Sequence, residues 1–194
     1  MKLYYSPGAC SLAGHIALHE AGIPFDRERV DLKSKLTDSG TDFNRINPKG
    51  YVPALMLDDG EVVSENLAVL DFIAAQAPAL RLEGPLGRTR LLEGLAYIST
   101  ELHKAYKPFF IGASDAEKAK VGRGITNRMQ YLADTIDGDY LFGNMPSVAD
   151  FYLFVTLLWA EKFGVRVPAP LLVLRDRLEG RRAVQAAMRA EDLI

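Results

Sequence analysis

Cysteine is almost missing from this chain of 194 residues; the single thiol, Cys10, excludes any intramolecular disulfide. Disulfide chemistry there must recruit a second molecule, either a small thiol or another chain. Long apolar runs are missing too. The most apolar stretch, 148–160, contains Asp150 and is too short to span a bilayer, so no membrane partner is expected. Pro7, Gly8 and Gly14 interrupt the continuous apolar segment that a secretory leader requires, and a reducing cytoplasm is the expected location. An excess of charge of one sign is also lacking. Lys and Arg total 23 against 25 for Asp and Glu, a net charge of -2, which argues against a nucleic-acid or anionic-membrane surface. There is no internal repeat and no low-complexity tract. The remaining composition, 48% hydrophobic and 25% charged, is that of a globular protein with core enough for one large domain or two small ones.

Patterning divides the chain. Lys2-Leu3-Tyr4-Tyr5 reads as a strand stopped by Ser6-Pro7-Gly8, and 11–21 as a helix stopped by Gly22. Residues 25–30 alternate imperfectly, as a strand, and 38–46 suit a short irregular helix. Two apolar runs, 53–57 and 61–63, flank Asp58-Asp59-Gly60, a strong hairpin signal. Leu67, Leu70, Ile73 and Ala74 then recur at helical spacing, with Pro78 beyond them. The order β-α-β-α-β-β-α predicts a small mixed sheet with helices packed on it. After Pro78 strand signals vanish: 79–87 reads as a linker, and 88–111, 115–136, 147–163, 171–179 and 181–190 as helices. Two domains are therefore expected, an α/β domain over 1–78 and an all-α domain over 88–194.

Four segments bear on chemistry. Ser6-Pro7-Gly8-Ala9-Cys10-Ser11-Leu12 puts Cys10 and the Ser11 hydroxyl at a helix N-terminus, where unpaired N–H groups stabilise a thiolate and lower its pKa. On this segment alone, a plain N-cap with Cys10 as small apolar filler stands level with a reactive site. In Asn47-Pro48-Lys49-Gly50-Tyr51-Val52-Pro53, a cis Val52–Pro53 bond would turn the Val52 backbone outward to pair with another peptide; a trans bond would leave an ordinary turn. Ser64-Glu65-Asn66 sets an acid and an amide on a helix N-terminus. That suits both ends of a zwitterionic α-amino acid, although on this segment alone an ordinary helix start is the favoured reading. Ser147-Val148-Ala149-Asp150 is a capping box and reads as structural. His15 and His19 lie one turn apart but lack a third ligand, so no metal is expected and a solvated helix face is.

In this order and spacing the segments resemble the glutathione transferases, and in detail the bacterial beta class, over essentially the whole chain. The stretches that carry the resemblance are Met1 through Leu12, Asn47 through Leu55, Glu101-Leu102-His103-Lys104 and the ending Arg189 through Ile194. The resemblance implies a thioredoxin-like domain followed by a helical bundle, in a homodimer. It implies glutathione as co-substrate and a hydrophobic small-molecule electrophile as the other partner. By motif match Cys10 faces the glutathione sulfur, with Ser11 and His103 as further catalytic residues. Val52 pairs with the cysteinyl backbone, Glu65 and Asn66 hold the γ-glutamyl end, and Lys35 and Lys104 meet glutathione carboxylates. Tyr5, Phe109 and Trp159 line the co-substrate site.

Three positions depart from the family pattern. Asn66 stands where the family usually carries Ser or Gly, and Gly94 and Ala96 replace a Trp and an Asn common in the class. The expected activity is conjugation of glutathione to apolar electrophiles, with a Cys10–glutathione mixed disulfide as a second outcome. A glutathione-dependent dehalogenase or isomerase, or a non-catalytic binding protein on the same fold, are the alternatives.

Overall fold

The computed structural model describes residues 1–194. Its first elements follow the apolar punctuation of the sequence: β1 Lys2–Tyr5, α1 Ser11–Glu20, β2 Asp26–Asp31, β3 Leu36–Thr37, a 3-10 turn Phe43–Arg45, β4 Ala54–Met56, β5 Val62–Ser64 and α2 Asn66–Gln76. The strands form one five-stranded sheet in the order β3-β2-β1-β4-β5. β1 runs parallel to β2 and antiparallel to β4, the mixed pairing of a thioredoxin-like sheet, with Leu3 opposite Leu55. The Asp-Gly hairpin forms between β4 and β5, closed by Leu57 N–H to the Glu61 carbonyl at 2.8 Å.

The expected second helix of this half is the clearest difference. Residues 38–46 hold only the three-residue turn Phe43–Arg45, and the two-residue β3 pairs with β2 ahead of it. Phe43 is fully buried against Tyr4, Val30 and Ala54, so one aromatic plug covers the sheet where a helix was anticipated. The side chains of Leu3, Leu12, Ile16, Leu55, Leu70 and Ile73 are fully buried and make the core between the sheet and α1 and α2.

The helical elements are α3 Gly87–Tyr97, a π turn Ile98–Leu102, a 3-10 turn His103–Tyr106, α4 Lys107–Phe110, α5 Asp115–Thr135, α6 Val148–Phe163, α7 Ala169–Glu179 and α8 Arg182–Ala190. The single helix expected over 88–111 is thus broken. Pro108 has no N–H to return to the Lys104 carbonyl, and the chain loosens into π and then tightens into 3-10 geometry just before it. The capping box forms: the buried Asp150 carboxylate accepts the Ser147 N–H at 2.8 Å, the Ser147 hydroxyl at 2.7 Å and the Leu141 N–H at 2.8 Å. At the other end of α6, Gly164 adopts φ 66, and Val165 N–H reaches back to the Ala160 carbonyl at 2.8 Å.

Two compact units result, Met1–Ala79 with Gly180–Ile194, and Leu80–Glu179. The last helix, expected in the helical half, packs on α1 in the first unit. Val184, Ala187 and Met188 are the buried residues of this helix, and Arg181 binds Glu20 at the far end of α1.

Candidate functional site

In the first unit, Cys10 sits at the N-cap of α1 with its sulfur 3.4 Å from the Val52 carbonyl oxygen. The Val52–Pro53 bond is cis. The helix terminus was expected to lower the Cys10 pKa, and the structure reverses that direction. The N–H groups of Cys10 and Ser11 do favour the thiolate, but burial outweighs them, Glu65 adds repulsion, and the thiol is pushed up to about 12. Cys10 is therefore a protonated S–H donor in the ligand-free protein, although the residue keeps some exposed surface.

Ser11 is fully buried, and its hydroxyl is turned back on the loop. It accepts the Ser6 N–H at 3.2 Å and faces the Ser6 carbonyl at 3.4 Å. It shapes the loop that carries Cys10 rather than presenting a free donor beside the sulfur. Tyr5 also lies elsewhere than expected: it is buried, its ring packs on His15 at 5.5 Å, and its hydroxyl points to the Ala190 carbonyl at 3.5 Å. Little of its surface is left for a co-substrate.

At the start of α2, Glu65 holds φ 71, a backbone conformation that costs a non-glycine residue about 1–3 kcal/mol. Its carboxylate accepts Lys49 Nζ at 2.6 Å and the Tyr51 hydroxyl at 2.9 Å. Both partners hold their protons more tightly because of it. Next to it Asn66 is only 8% exposed, and neither its amide oxygen nor its amide nitrogen has a partner. A buried amide with both atoms unmatched is rare. Lys35, also at positive φ, is tied by Nζ to the Gly50 carbonyl at 2.6 Å. Its ammonium supports the 47–53 turn.

In the helical unit, His103 Nδ1 lies 2.6 Å from the Tyr152 hydroxyl, and its ring packs edge-on to Trp159 with centroids 5.0 Å apart. Burial, with a smaller contribution from Lys104, lowers the His103 pKa, so the imidazole is neutral at pH 7. Lys104 is exposed. Phe109 stacks on Phe163 at 5.1 Å, and the exposed Phe110 meets both Trp159 and Phe163 edge-on. Of the helical-unit residues singled out from the sequence, His103, Phe109 and Trp159 thus share one aromatic cluster built on the buried Tyr106.

Residues 8–76 match the family model described as glutathione S-transferase, N-terminal domain. Over its whole length the chain is 38% identical to glutathione S-transferase GstA of Escherichia coli O157:H7, with both chains fully covered. The bacterial beta-class glutathione S-transferase of Sphingomonas chungbukensis superposes with a TM-score of 0.93 at 43% identity, each chain covered completely. The chain belongs to the bacterial beta class of glutathione S-transferases. A sphingomonad glutathione S-transferase solved in complex with glutathione is similarly close, with a TM-score of 0.92, 44% identity and full coverage of both chains.

Within this glutathione S-transferase one departure from the family pattern, Gly94, has a physical reason in the structure, and nothing in the structure explains Ala96. A Cβ on Gly94 would lie 2.7 Å from the tip of the Phe142 ring, so that phenyl fills space a larger side chain at 94 would need. Ala96 contributes its carbonyl, which accepts the Thr100 hydroxyl at 3.0 Å. The His15 and His19 face is not solvated as expected. His15 is fully buried, stacks on His19 at 5.2 Å, and places Nδ1 2.8 Å from Glu191. No three His, Cys, Asp or Glu side chains gather as a metal-holding group.

Lys49 and Tyr51, which clamp Glu65, were not singled out from the sequence, and neither was Glu191. Lys49 and Tyr51 lie inside the 47–53 motif and were legible as polar groups flanking the Val-Pro step. Glu191 lies in the class-like ending 189–194, but nothing local to it points to His15 or Gly8.

Proposed function

We propose that this glutathione S-transferase conjugates glutathione to hydrophobic electrophiles, with Cys10 acting first as a hydrogen-bond donor to the glutathione sulfur. The observation that carries this is the Cys10 S–H lying 3.4 Å from the Val52 carbonyl, in a chain of this family. A thiol that stays protonated up to about 12 is a poor nucleophile at neutral pH and a durable donor. Exchanging the Val52 carbonyl for a glutathione thiolate would stabilise that anion, helped by the N–H groups at the start of α1. Moving a glutathione thiol pKa from about 9 toward 7 raises its reactive fraction at neutral pH roughly fiftyfold. The thiolate then attacks an electrophilic carbon, forming the C–S bond as the leaving group departs.

In this reading the Val52 backbone pairs with the cysteinyl residue of glutathione. Glu65 takes the γ-glutamyl ammonium, and the unpartnered Asn66 amide takes the carboxylate beside it. Lys49 and Tyr51 hold Glu65 ready, and Lys35 exchanges the Gly50 carbonyl for the glycyl carboxylate. From the helical unit the proposal includes His103 and Lys104 as polar contributors, and Phe109 and Trp159 as apolar surface for the electrophile. A cytoplasmic homodimer active in detoxification completes it. The dimer is supported by family membership. No helix of the chain is long and apolar enough to cross a membrane.

The mixed disulfide belongs to the same site. The Cys10 thiolate attacks one sulfur of oxidised glutathione, a Cys10–glutathione S–S bond forms, the original disulfide breaks, and one glutathione thiolate leaves while the Cys10 proton goes to solvent. With the thiol held protonated, this step is slow near neutrality and quickens with rising pH.

Cys10→Ala separates the two outcomes. The parent is expected to conjugate a model aryl halide, and to form one glutathione adduct per chain with oxidised glutathione, read by mass spectrometry. The variant is expected to lose the adduct and keep conjugation at a reduced rate. A parent without conjugation rejects the function, and a parent without adduct whose variant conjugates equally well rejects the placement of Cys10 at the sulfur.

A further inference from the structure

The catalytic loop is held by a residue from the other end of the chain. Helix α8 runs antiparallel to α1 and is tied to it at both ends. At one end Arg181 binds Glu20. At the other, Glu191, just past the last turn of α8, is fully buried and splits its carboxylate between two groups. Oε1 lies 2.8 Å from His15 Nδ1 in the middle of α1, and Oε2 accepts the Gly8 N–H at 2.9 Å.

Gly8 lies two residues before Cys10, in the loop that Ser11 closes on Ser6. The remaining His15 nitrogen, Nε2, has no partner, so Glu191 is the polar anchor of that ring. The surrounding packing fixes the tail. Tyr5 reaches the Ala190 carbonyl, Glu191 N–H returns to Ala187 at 3.1 Å, and Leu193 N–H to Met188 at 2.9 Å. Leu193 closes over the loop, with a methyl 3.6 Å from where a Cβ on Gly8 would stand.

A buried carboxylate is costly unless its lone pairs are filled, and partners of such a group are strongly constrained in position. The Gly8 N–H is matched from about 180 residues away in sequence, which couples the placement of Cys10 to the docking of α8.

We propose that Glu191 is a positioning residue for the Cys10 loop: its carboxylate joins the Gly8 N–H to His15, so the C-terminal tail sets the position from which Cys10 meets its thiol substrate. The part concerning glutathione rests on the function proposed above; the part concerning the loop does not.

The test uses full-length Glu191→Ala, and Glu191→Asp in case the alanine variant does not fold. Aspartate keeps the charge but is one methylene too short to reach both partners. Three quantities are read: melting temperature, KM against kcat for glutathione with a model aryl halide, and the rate of Cys10 alkylation by iodoacetamide without glutathione. Folded Glu191→Ala is expected to alkylate Cys10 about tenfold faster, because the loop opens, and to raise the glutathione KM about tenfold while kcat changes little. Glu191→Asp is expected to shift both in the same direction by roughly threefold.

A variant that melts lower but leaves alkylation and KM at the parent values makes Glu191 merely structural and overturns the proposal. So does a Glu191→Asp variant indistinguishable from the parent in both. If the parent itself neither binds nor conjugates glutathione, the function above fails, and alkylation alone still decides the role of Glu191.

Discussion

Replacing Asn66 with leucine tests whether the amide at the start of α2 is waiting for a ligand. Leucine has the same branched shape without the polar atoms. In the ligand-free protein both amide atoms of Asn66 are buried and unmatched, which costs about 1–3 kcal/mol against an apolar side chain of the same shape. Asn66→Leu should therefore stabilise the empty protein by that amount. For a domain of this size each kcal/mol moves the melting temperature by about 2–4 °C, so a rise of about 2–12 °C is expected by scanning fluorimetry. Glutathione affinity should move the other way. Losing the amide's bonds to the γ-glutamyl carboxylate weakens Kd by about 10- to 100-fold, readable by calorimetry. A lower melting temperature together with an unchanged glutathione Kd would refute the reasoning, because the amide would then be serving the fold and not a ligand.

Three other outcomes follow from the same structure. Because Cys10 keeps its proton up to about 12, iodoacetamide should alkylate the ligand-free protein slowly through pH 9, with no inflection near pH 7; an inflection there would contradict the burial argument. The unfolded thiol ionises near 8.5, so its contribution to stability is complete below that pH and is lost as pH rises toward 12; Cys10→Ala should show a shallower alkaline fall in chemical denaturation. Asp150→Ala strands the Leu141 N–H, the Ser147 N–H and the Ser147 hydroxyl inside the helical unit. It should cost roughly 3–5 kcal/mol and lower the melting temperature by about 6–20 °C, and an unchanged melt would dismiss the capping box as a stability element.

The parts of the molecule legible in the sequence are those with local causes. The turns after β1 and between β4 and β5, the capping box at Ser147 and the apolar spacing of α2 announce themselves within a few residues, and each forms. The features that escaped are long-range. Phe43 replaces a helix because it finds Tyr4 and Val30 across the sheet, which no window around 38–46 reveals. Pro108 was visible, but its effect spread backward over 98–106 as π and 3-10 turns.

At the candidate site, the sequence offered residue identities but not their states. The Cys10 pKa reversed because burial exceeded the helix N-terminus, and burial is a property of the packed unit. His15 read as a solvated face because its partner Glu191 lies on a different helix terminus. Asn66 read as a departure from the family's Ser or Gly, and only the packed structure reveals that both its amide atoms are buried and unmatched.

The central claim is that glutathione binds in the first unit with its sulfur on Cys10, and a crystal structure of the protein with glutathione tests it most directly. The account predicts the glutathione sulfur within hydrogen-bonding distance of Cys10 Sγ, the cysteinyl backbone paired with Val52, and the γ-glutamyl group on Glu65 and Asn66. Glutathione bound with its sulfur away from Cys10, or with Asn66 still unpartnered, would contradict it.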